Sequence, residues 1–445
     1  MGFPPVDRPT RGDPRHCRRR RFRHATIMSR RTEGGSMAGT HDSEARKTFA
    51  AILDPAQRGE LYPHYHRLRK LAPIHEDETL LGRRAWILTR FEDADRVLRD
   101  PDLHSDTRAI ELFDTGPSGR TFYEVMQKLL LYLDPPDHDR IRGLVSKAFT
   151  PRAVESRRPR IQAEVDRLLD RVEDAGKTEL VADFGYPLPI AVICEMMGIP
   201  ESDRETFLAW AHDFARRGDV SAVTDEVIAR GEVASAGFRD YFLDLARSRR
   251  RALGDDLISA LVQVEDETGR LSDEEVVSTC VILLQAGHET TADLISMSIR
   301  GLLLHPDQLA RLCEAPERVG SSADEFIRWD TSVQISQRVG ARDVEVGGQR
   351  IPAGDVCVVM NGAANRDPAR FPEPDRLDIE RATASHLGFG MGRHFCLGAS
   401  LARAEIGTAV GTFLRRFPRF DFAEDPVFRP SLFLRGLARL PLRLG

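Results

Sequence analysis

Cys396 stands out among the six cysteines of the chain because glycines surround it, in the stretch HLGFGMGRHFCLGASLARAE (residues 386–405). Three of these glycines precede it and permit backbone conformations that other residues avoid, and Gly398 permits close approach of a flat surface. A cysteine can pack as a small apolar side chain, act as a nucleophile or bind a metal, and packing is the usual role. The apolar spacing after Cys396 predicts a helix, and the free N–H groups at a helix start favour a thiolate. The stretch therefore favours a reactive or metal-binding sulfur over a merely packed one.

A nucleophilic Cys396 would need a nearby base, and His394, two residues earlier, points elsewhere if the segment is extended. A metal bound by one cysteine takes its other ligands from a cofactor. Haem meets this requirement because the porphyrin supplies four nitrogens and leaves an axial position for the protein. The residues thus indicate a haem–thiolate site, with simple packing of the thiol as the alternative.

A second group of polar residues, QAGHETTAD (285–293), lies in the middle of a long apolar repeat. Ser272 and Glu275 form a capping box, and the repeat continues to His305 before a proline. The pattern predicts a helix of about 33 residues, about 50 Å long, that crosses the whole body. Glu289 would be costly to bury without a purpose, which suggests chemistry at this point of the helix. The alternative is a core helix with its polar face on the surface.

The rest of the chain must position these two groups, and its apolar spacing is mostly helical. Helices are expected within 160–174, 206–215, 224–248 and 256–265. Short strands are expected within 83–90, 344–361 and 432–445. No repeat or linker divides the body, so we expect one mixed domain, mainly α with small β-sheets at its edge.

The basic charge of the chain is concentrated at its N-terminus. The net charge is −5, but residues 1–40 hold ten arginines against three acidic residues. This segment is rich in Pro and Gly and predicts a disordered basic extension at 1–45, before a domain at 46–445. A nucleic-acid or membrane arm is the alternative, but we expect no nucleic-acid partner and no membrane anchor, because no stretch of about 18 apolar residues occurs. The scattered cysteines suggest reduced thiols in a cytoplasm.

Several stretches resemble the cytochrome P450 family, in the family's own order. Phe389, Gly392, His394, Cys396 and Gly398 match its haem-binding signature, F-x-x-G-x-H-x-C-x-G. AGHETT (286–291) resembles its oxygen-activating helix, EFIR (325–328) its E-x-x-R pair, and FPEPDRLDIER (371–381) its meander. LDPPDHDRIRGLVSKAFTPR (133–152) is similar to its helix beside the haem propionates. The resemblance implies the cytochrome P450 fold, with haem b (iron protoporphyrin IX) between the long central helix and the helix after the cysteine.

The resemblance also implies roles for individual residues. Cys396 would be the axial iron ligand and Phe389 would shield its sulfur. The side chains expected to hold the propionates are His138, Arg142, Arg338 and His394. Ala286 and Gly287 would leave room for oxygen, and Glu289 and Thr290 would form an acid–alcohol pair that delivers protons. For Thr290, the alternative is a hydroxyl that bonds back to a helix carbonyl and only bends the helix. Glu325 and Arg328 would form a structural pair, joined by Arg376.

The implied activity is that of a monooxygenase, which inserts one atom of O₂ into an apolar organic substrate by hydroxylation or epoxidation, in secondary metabolism among other settings. Electrons would come from NAD(P)H through a ferredoxin and its reductase, docked near Arg140, Lys147 and Arg393. A peroxide-dependent peroxygenase and a non-catalytic haem sensor are the alternatives. The aromatic side chains expected to recognise a bulky apolar substrate are Phe122, Tyr123, Phe207, Trp210 and Phe214.

Overall fold

The structure, a computed structural model, describes residues 37–105, 114–173, 176–218, 224–266, 269–382 and 385–445. Its helices are α1 (Met37–Leu53), α2 (Leu61–Leu71), α3 (Phe91–Arg99), α4 (Arg120–Met126), α5 (Asp137–Ala148), α6 (Pro151–Glu155), α7 (Arg158–Glu173), α8 (Pro187–Met196), α9 (Arg204–Gly218), α10 (Asp225–Arg251), α11 (Leu257–Gln263), α12 (Asp273–Leu304), α13 (Pro306–Glu314), α14 (Val319–Trp329), α15 (Asn361–Ala364) and α16 (Ala399–Arg416). The helices predicted from periodicity correspond to α7, α9, α10 and α11.

The strands are short and lie at the edge of the helical body. They are β1 (Ile74–Asp77), β2 (Ala85–Leu88), β3 (Leu103–His104), β4 (Lys177–Glu179), β5 (Glu265–Asp266), β6 (Gly269–Arg270), β7 (Ile335–Gly340), β8 (Val344–Val346), β9 (Gln349–Ile351), β10 (Val356–Met360), β11 (Phe420–Phe422), β12 (Val427–Phe428), β13 (Leu437–Arg439) and β14 (Pro441–Leu444). The main sheet has the order β1-β2-β10-β7-β3, with β2 and β10 parallel and the other pairs antiparallel. The predicted mainly α fold with small sheets is confirmed.

Helix α12 has the bounds that its capping residues predict. The backbone N–H of Glu275 donates to Ser272 Oγ (3.2 Å), and the N–H of Ser272 donates to Glu275 Oε2 (2.8 Å). The helix ends at Leu304 because Pro306 cannot continue it, and its 32 residues span about 48 Å. It packs against α8, α10 and α16, so most of its length is buried and its central residues lie inside the protein.

The predicted pair of Glu325 and Arg328 is confirmed as a buried ion pair, but its third member is not the expected one. Arg328 Nε and Nη2 donate to the two carboxylate oxygens of Glu325 at 2.6 and 2.7 Å. The arginine that joins them is Arg381, whose Nε donates to Glu325 Oε1 at 3.2 Å. The expectation for Arg376 was wrong because its side chain is half exposed and faces Glu373, so only its backbone carbonyl accepts a hydrogen bond from Arg328.

Helix α1 crosses the domain boundary expected at residue 46, and Ala45 and Phe49 within it are buried against α2. Residues 1–36, which hold most of the predicted basic extension, lie outside the described residues, so the predicted disorder stays a prediction. Within the described ranges, no helix is both long enough and apolar enough to span a bilayer.

Candidate functional site

The loop that carries Cys396 is shaped by glycines at defined positions. Gly390 and Gly392 have φ values of 65° and 69°, in the left-handed region that other residues rarely adopt. A Cβ on Gly392 would lie 2.4 Å from the carbonyl oxygen of Leu98, so a larger residue would push the loop off helix α3. The backbone N–H of Cys396 donates to the carbonyl of Phe389 at 2.9 Å, which closes the loop just before α16.

The sulfur of Cys396 is partly buried, beside groups that favour its negative charge. Burial raises the pKa of the thiol, while a hydrogen bond from the backbone N–H of Gly398 and the charges of Arg142 and Arg403 oppose that rise. The guanidinium of Arg403 lies 4.6 Å from the centre of the Phe389 ring, and that ring is buried beside the loop. No cluster of three or more His, Cys, Asp or Glu side chains suited to a metal occurs among the described residues. A metal at Cys396 would therefore depend on ligands from a cofactor.

Basic side chains from three elements meet beside this loop. His138 and Arg142 share one face of α5, Arg338 comes from β7, and His394 precedes Cys396. The rings of His138 and His394 lie 4.3 Å apart, and Arg142 Nη2 donates to the carbonyl of Phe395 at 2.6 Å. The structure thus brings together all four residues that the sequence assigned to one anionic ligand.

Burial disfavours positive charge on the side chains of this basic cluster. Burial and the neighbouring charges of Arg338 and His138 lower the pKa of His394 to about 2. Burial lowers the pKa of Arg338 to about 10, with only Asp134 opposing it. Nε2 of His138 is buried without a partner among the described residues, and a cavity of about 160 Å³ lies between Arg338, His394 and Asp134. The arrangement fits an anionic ligand, because a bound negative charge would relieve each of these penalties.

The centre of α12 presents different residues to its two sides. Ala286 is exposed and Thr290 partly exposed, and a Cβ on Gly287 would come no closer than 3.9 Å to Ile193. The hydroxyl of Thr290 donates to the carbonyl of Ala286 at 2.6 Å, which is the back-bonding geometry that the sequence left as an alternative. A hydroxyl that donates in this way still has lone pairs free to accept a hydrogen bond from water.

Glu289 lies on the buried side of α12, only 5% exposed, and burial raises the pKa of its carboxyl. Its Oε2 lies 3.5 Å from Nη1 of Arg429, which follows β12. Sequence reasoning missed Arg429, because a contact across 140 positions leaves no local pattern. It also missed Asp293, although a second acid four residues after Glu289 falls on the same helix face and was visible in the sequence.

The aromatic residues predicted to contact substrate are mostly packed against one another. Phe207 of α9 is fully buried among Trp210 and three aromatic side chains of α10, with ring centres 4.8 to 5.6 Å apart. Phe122 and Phe214 are also buried, with their ring centres 4.8 Å apart. These aromatic side chains occupy positions where helices pack against one another. Their aromatic character therefore does not indicate a ligand-binding surface.

The cytochrome P450 family model matches residues 232–441. Cytochrome P450 107B1 of Saccharopolyspora erythraea is 39% identical over 402 residues, covering 88% of this chain and 97% of that protein. The 6-deoxyerythronolide B hydroxylase of the same organism is 38% identical over 395 residues, covering 86% of this chain and 96% of the hydroxylase. The solved structure of P450BioI, in complex with acyl carrier protein ligated to hexadec-9Z-enoic acid, superposes with a TM-score of 0.82 at 36% identity, covering 88% of this chain and 99% of that one. With identity of this level over nearly the whole described body, the chain belongs to the cytochrome P450 family and is a monooxygenase with haem b as its cofactor.

Proposed function

We propose that Cys396 would bind the haem iron as a thiolate and that His138, Arg142, Arg338 and His394 would hold the two propionates. The observation that carries this proposal is the convergence of two arginines and two histidines beside Cys396, around a cavity and an unpartnered Nε2 of His138, which fits a ligand with two carboxylates. The hydrogen bond from Gly398 to the sulfur would moderate the charge that the thiolate donates. When bound, haem supplies the iron centre at which dioxygen is activated.

We also assign proton delivery to Glu289 and Thr290 of α12. Reduction of one oxygen atom to water consumes two protons, and an apolar pocket offers few groups that could supply them. The hydroxyl of Thr290 donates to Ala286, so it can hold a water at the pocket surface through its lone pairs. Glu289 is buried one residue earlier and has a raised pKa, so it can carry a proton toward that water. Ala286 and Gly287 keep the neighbouring space open.

The proposed reaction is insertion of one atom of O₂ into an apolar organic molecule of secondary metabolism, by hydroxylation or epoxidation. The relatives described above support this class, since one is named for hydroxylation of 6-deoxyerythronolide B and another was solved with an acyl-chain ligand on a carrier protein. Phe433, with 46% of its surface exposed, is a candidate contact for such a substrate. Screening macrolactones, fatty acids and sterols for a substrate-induced spin shift tests the class, and a set of exclusively polar ligands giving that shift would contradict it.

We further propose that electrons arrive from NAD(P)H through a ferredoxin and its reductase, on the surface outside Cys396. Phe395 is 37% exposed there, and Arg142 binds its carbonyl, so an apolar contact and a positive charge lie next to the ligand loop. Among the cations expected at this surface, Arg393 lies 3.4 Å from Asp139 and Arg140 pairs with Glu275. An acidic ferredoxin would complete such a surface.

All five described cysteines are free thiols, in keeping with a cytoplasmic location.

The role of Thr290 is tested by replacing it with alanine. Haem content, substrate affinity and reduction by the partner should stay near those of the unchanged protein, because the side chain is small and partly exposed. Protons would arrive at the wrong place or time, so NAD(P)H consumption should continue while product falls and peroxide rises. The readout is product, peroxide and NAD(P)H in one reaction.

Two controls separate chemistry from helix bending. Thr290→Ser keeps the hydroxyl and should restore the ratio of product to NAD(P)H. Thr291→Ala removes the neighbouring hydroxyl, which is buried on the other side of α12, and should leave that ratio unchanged. If Thr290→Ala lowers product and NAD(P)H together, Thr290 only shapes the helix and the assignment is wrong.

A further inference from the structure

The buried side of α12 holds a second carboxyl group that the proposed proton delivery does not use. Asp293 lies one turn after Glu289 and is 1% exposed. Its Oδ2 accepts hydrogen bonds from Arg429 Nη2 at 2.5 Å and from Ser332 Oγ at 2.8 Å. The same guanidinium reaches Glu289 with its other nitrogen, Nη1, at 3.5 Å. One arginine therefore serves two buried acids, and Asp293 has the shorter contact.

The charges of this group do not balance when both acids are ionised. Arg429 contributes one positive charge, while Glu289 and Asp293 would contribute two negative charges in a site that water barely reaches. The second oxygen of Asp293, Oδ1, is buried without a partner among the described residues. A Cβ on Gly436 would lie 1.9 Å from that oxygen, so the backbone there closes the space around it. One proton distributed over the two carboxyls leaves a single negative charge to match Arg429. This protonation state has the lowest free-energy cost of burial for such a site.

Three other described groups face the pair, and no ion pair joins any of them to either carboxyl. Tyr186, at the start of α8, accepts a hydrogen bond from Arg429 Nη1 at 2.5 Å, and burial raises the pKa of its hydroxyl. His288 on α12 is buried, which lowers its pKa to about 4 and keeps it neutral. His212 on α9 is half exposed and acts on Glu289 only through its charge. Burial raises the pKa of Asp293 to about 7.

We propose that Asp293 is a positioning residue for the reaction, which competes with Glu289 for Arg429 and thereby keeps Glu289 able to hold and release a proton. The inference rests on the proposed role of Glu289. With Asp293 present, Arg429 makes its short contact away from Glu289, whose carboxyl stays loosely held. Without that competition, Arg429 would bind Glu289 directly and fix it as a carboxylate. Arg429 is 19% exposed, so the group also reaches toward solvent, from which protons must be replaced.

The test is Asp293→Asn, which keeps the size of the side chain and an oxygen acceptor for Ser332 but removes the charge. The role of proton donor needs the protonated form of Glu289, so the rate should fall as pH rises through the pKa of the acid pair. In Asp293→Asn, the unshared Arg429 lowers the pKa of Glu289, and this alkaline limb should move down by about one pH unit. Infrared titration of the carboxyl band should show one protonated buried acid fewer near neutral pH.

Several variants make the outcome decisive. Ser296→Ala removes a nearby buried hydroxyl on α12 without changing charge and should leave the pH profile unmoved. Glu289→Gln should abolish the alkaline limb of the pH profile. Adding Asp293→Asn to Glu289→Gln should cause no further change in that profile. If Glu289→Gln leaves the limb in place, the proposed role of Glu289 is wrong. If Glu289→Gln abolishes it but Asp293→Asn changes neither the limb nor the infrared titration, Glu289 keeps its role and the positioning role of Asp293 is overturned. If Asp293→Asn lowers thermal stability but leaves the pH profile unmoved, the positioning role of Asp293 is likewise overturned.

Discussion

Replacing Cys396 with alanine should abolish the thiolate-type spectrum of the reduced, CO-bound protein and remove most of the bound haem. Alanine removes the sulfur but keeps the backbone N–H that donates to the carbonyl of Phe389, so the loop should keep its shape without a thiolate. The basic cluster of His138, Arg142, Arg338 and His394 would remain, and any haem retained through its propionates should lack a thiolate ligand. The measurement is the reduced CO difference spectrum together with haem content per chain.

The other cysteines provide matched controls for this experiment. Burial raises the pKa of Cys194 and of Cys357 to about 12, and it raises that of Cys280 as well, so these thiols are neutral and are inert packing groups. Alanine at each of them, and at half-exposed Cys313, should leave the thiolate-type spectrum intact. A thiolate-type spectrum that persists in Cys396→Ala would refute the ligand assignment.

The largest expected loss of stability comes from breaking the buried pair on α14. Glu325→Ala or Arg328→Ala should lower the free energy of unfolding by about 3 to 5 kcal/mol, because each leaves a buried charge without its main partner. Arg328 is fully buried and also donates to the carbonyls of Asn365 and Pro374, at 3.0 and 2.9 Å. Loss of the Arg328 side chain should therefore break the ion pair with Glu325 and also release the segment after α15. Chemical denaturation followed by circular dichroism gives the comparison.

An exposed ion pair in the same protein is the control for that loss. Arg350 pairs with Asp343 on the surface, where its side chain is 79% exposed, and solvent screens such a pair. Arg350→Ala should leave the unfolding midpoint almost unchanged. Equal losses for Arg328→Ala and Arg350→Ala would contradict the structural role of the buried pair.

The parts of this protein that the sequence predicts well are those determined by local chemistry. The bounds of α12 follow from Ser272, Glu275 and Pro306, since a capping box and a proline act within a few residues of themselves. The loop before Cys396 follows from its glycines, one of which has no room for a side chain beside Leu98. Among the strands that lie outside the predicted ranges, β3 and β11 have only two and three residues, too few to show a readable alternation.

The parts that the sequence does not predict depend on contacts between distant segments. Arg381 rather than Arg376 reaches Glu325, because the irregular backbone of this region has no repeat that fixes which side chain turns inward. Arg429 contacts Asp293 although the two residues are 136 positions apart in the sequence. No local sequence pattern around either residue indicates this contact. Phe207 was predicted to contact substrate but is buried between helices. An aromatic residue that packs helices together has the same sequence pattern as one that contacts a ligand, so the sequence does not distinguish the two.

The most direct test of the account is turnover under isotopically labelled dioxygen, using the ligand that gives the largest spin shift, with NAD(P)H, a ferredoxin and its reductase. A monooxygenase with the proposed site should place one labelled atom in the product and the other in water, for about one NAD(P)H consumed per product. Product made only from added peroxide would favour the peroxygenase alternative, and no product from any spin-shifting ligand would favour the sensor. Either result, or an unlabelled oxygen in the product, would contradict the account.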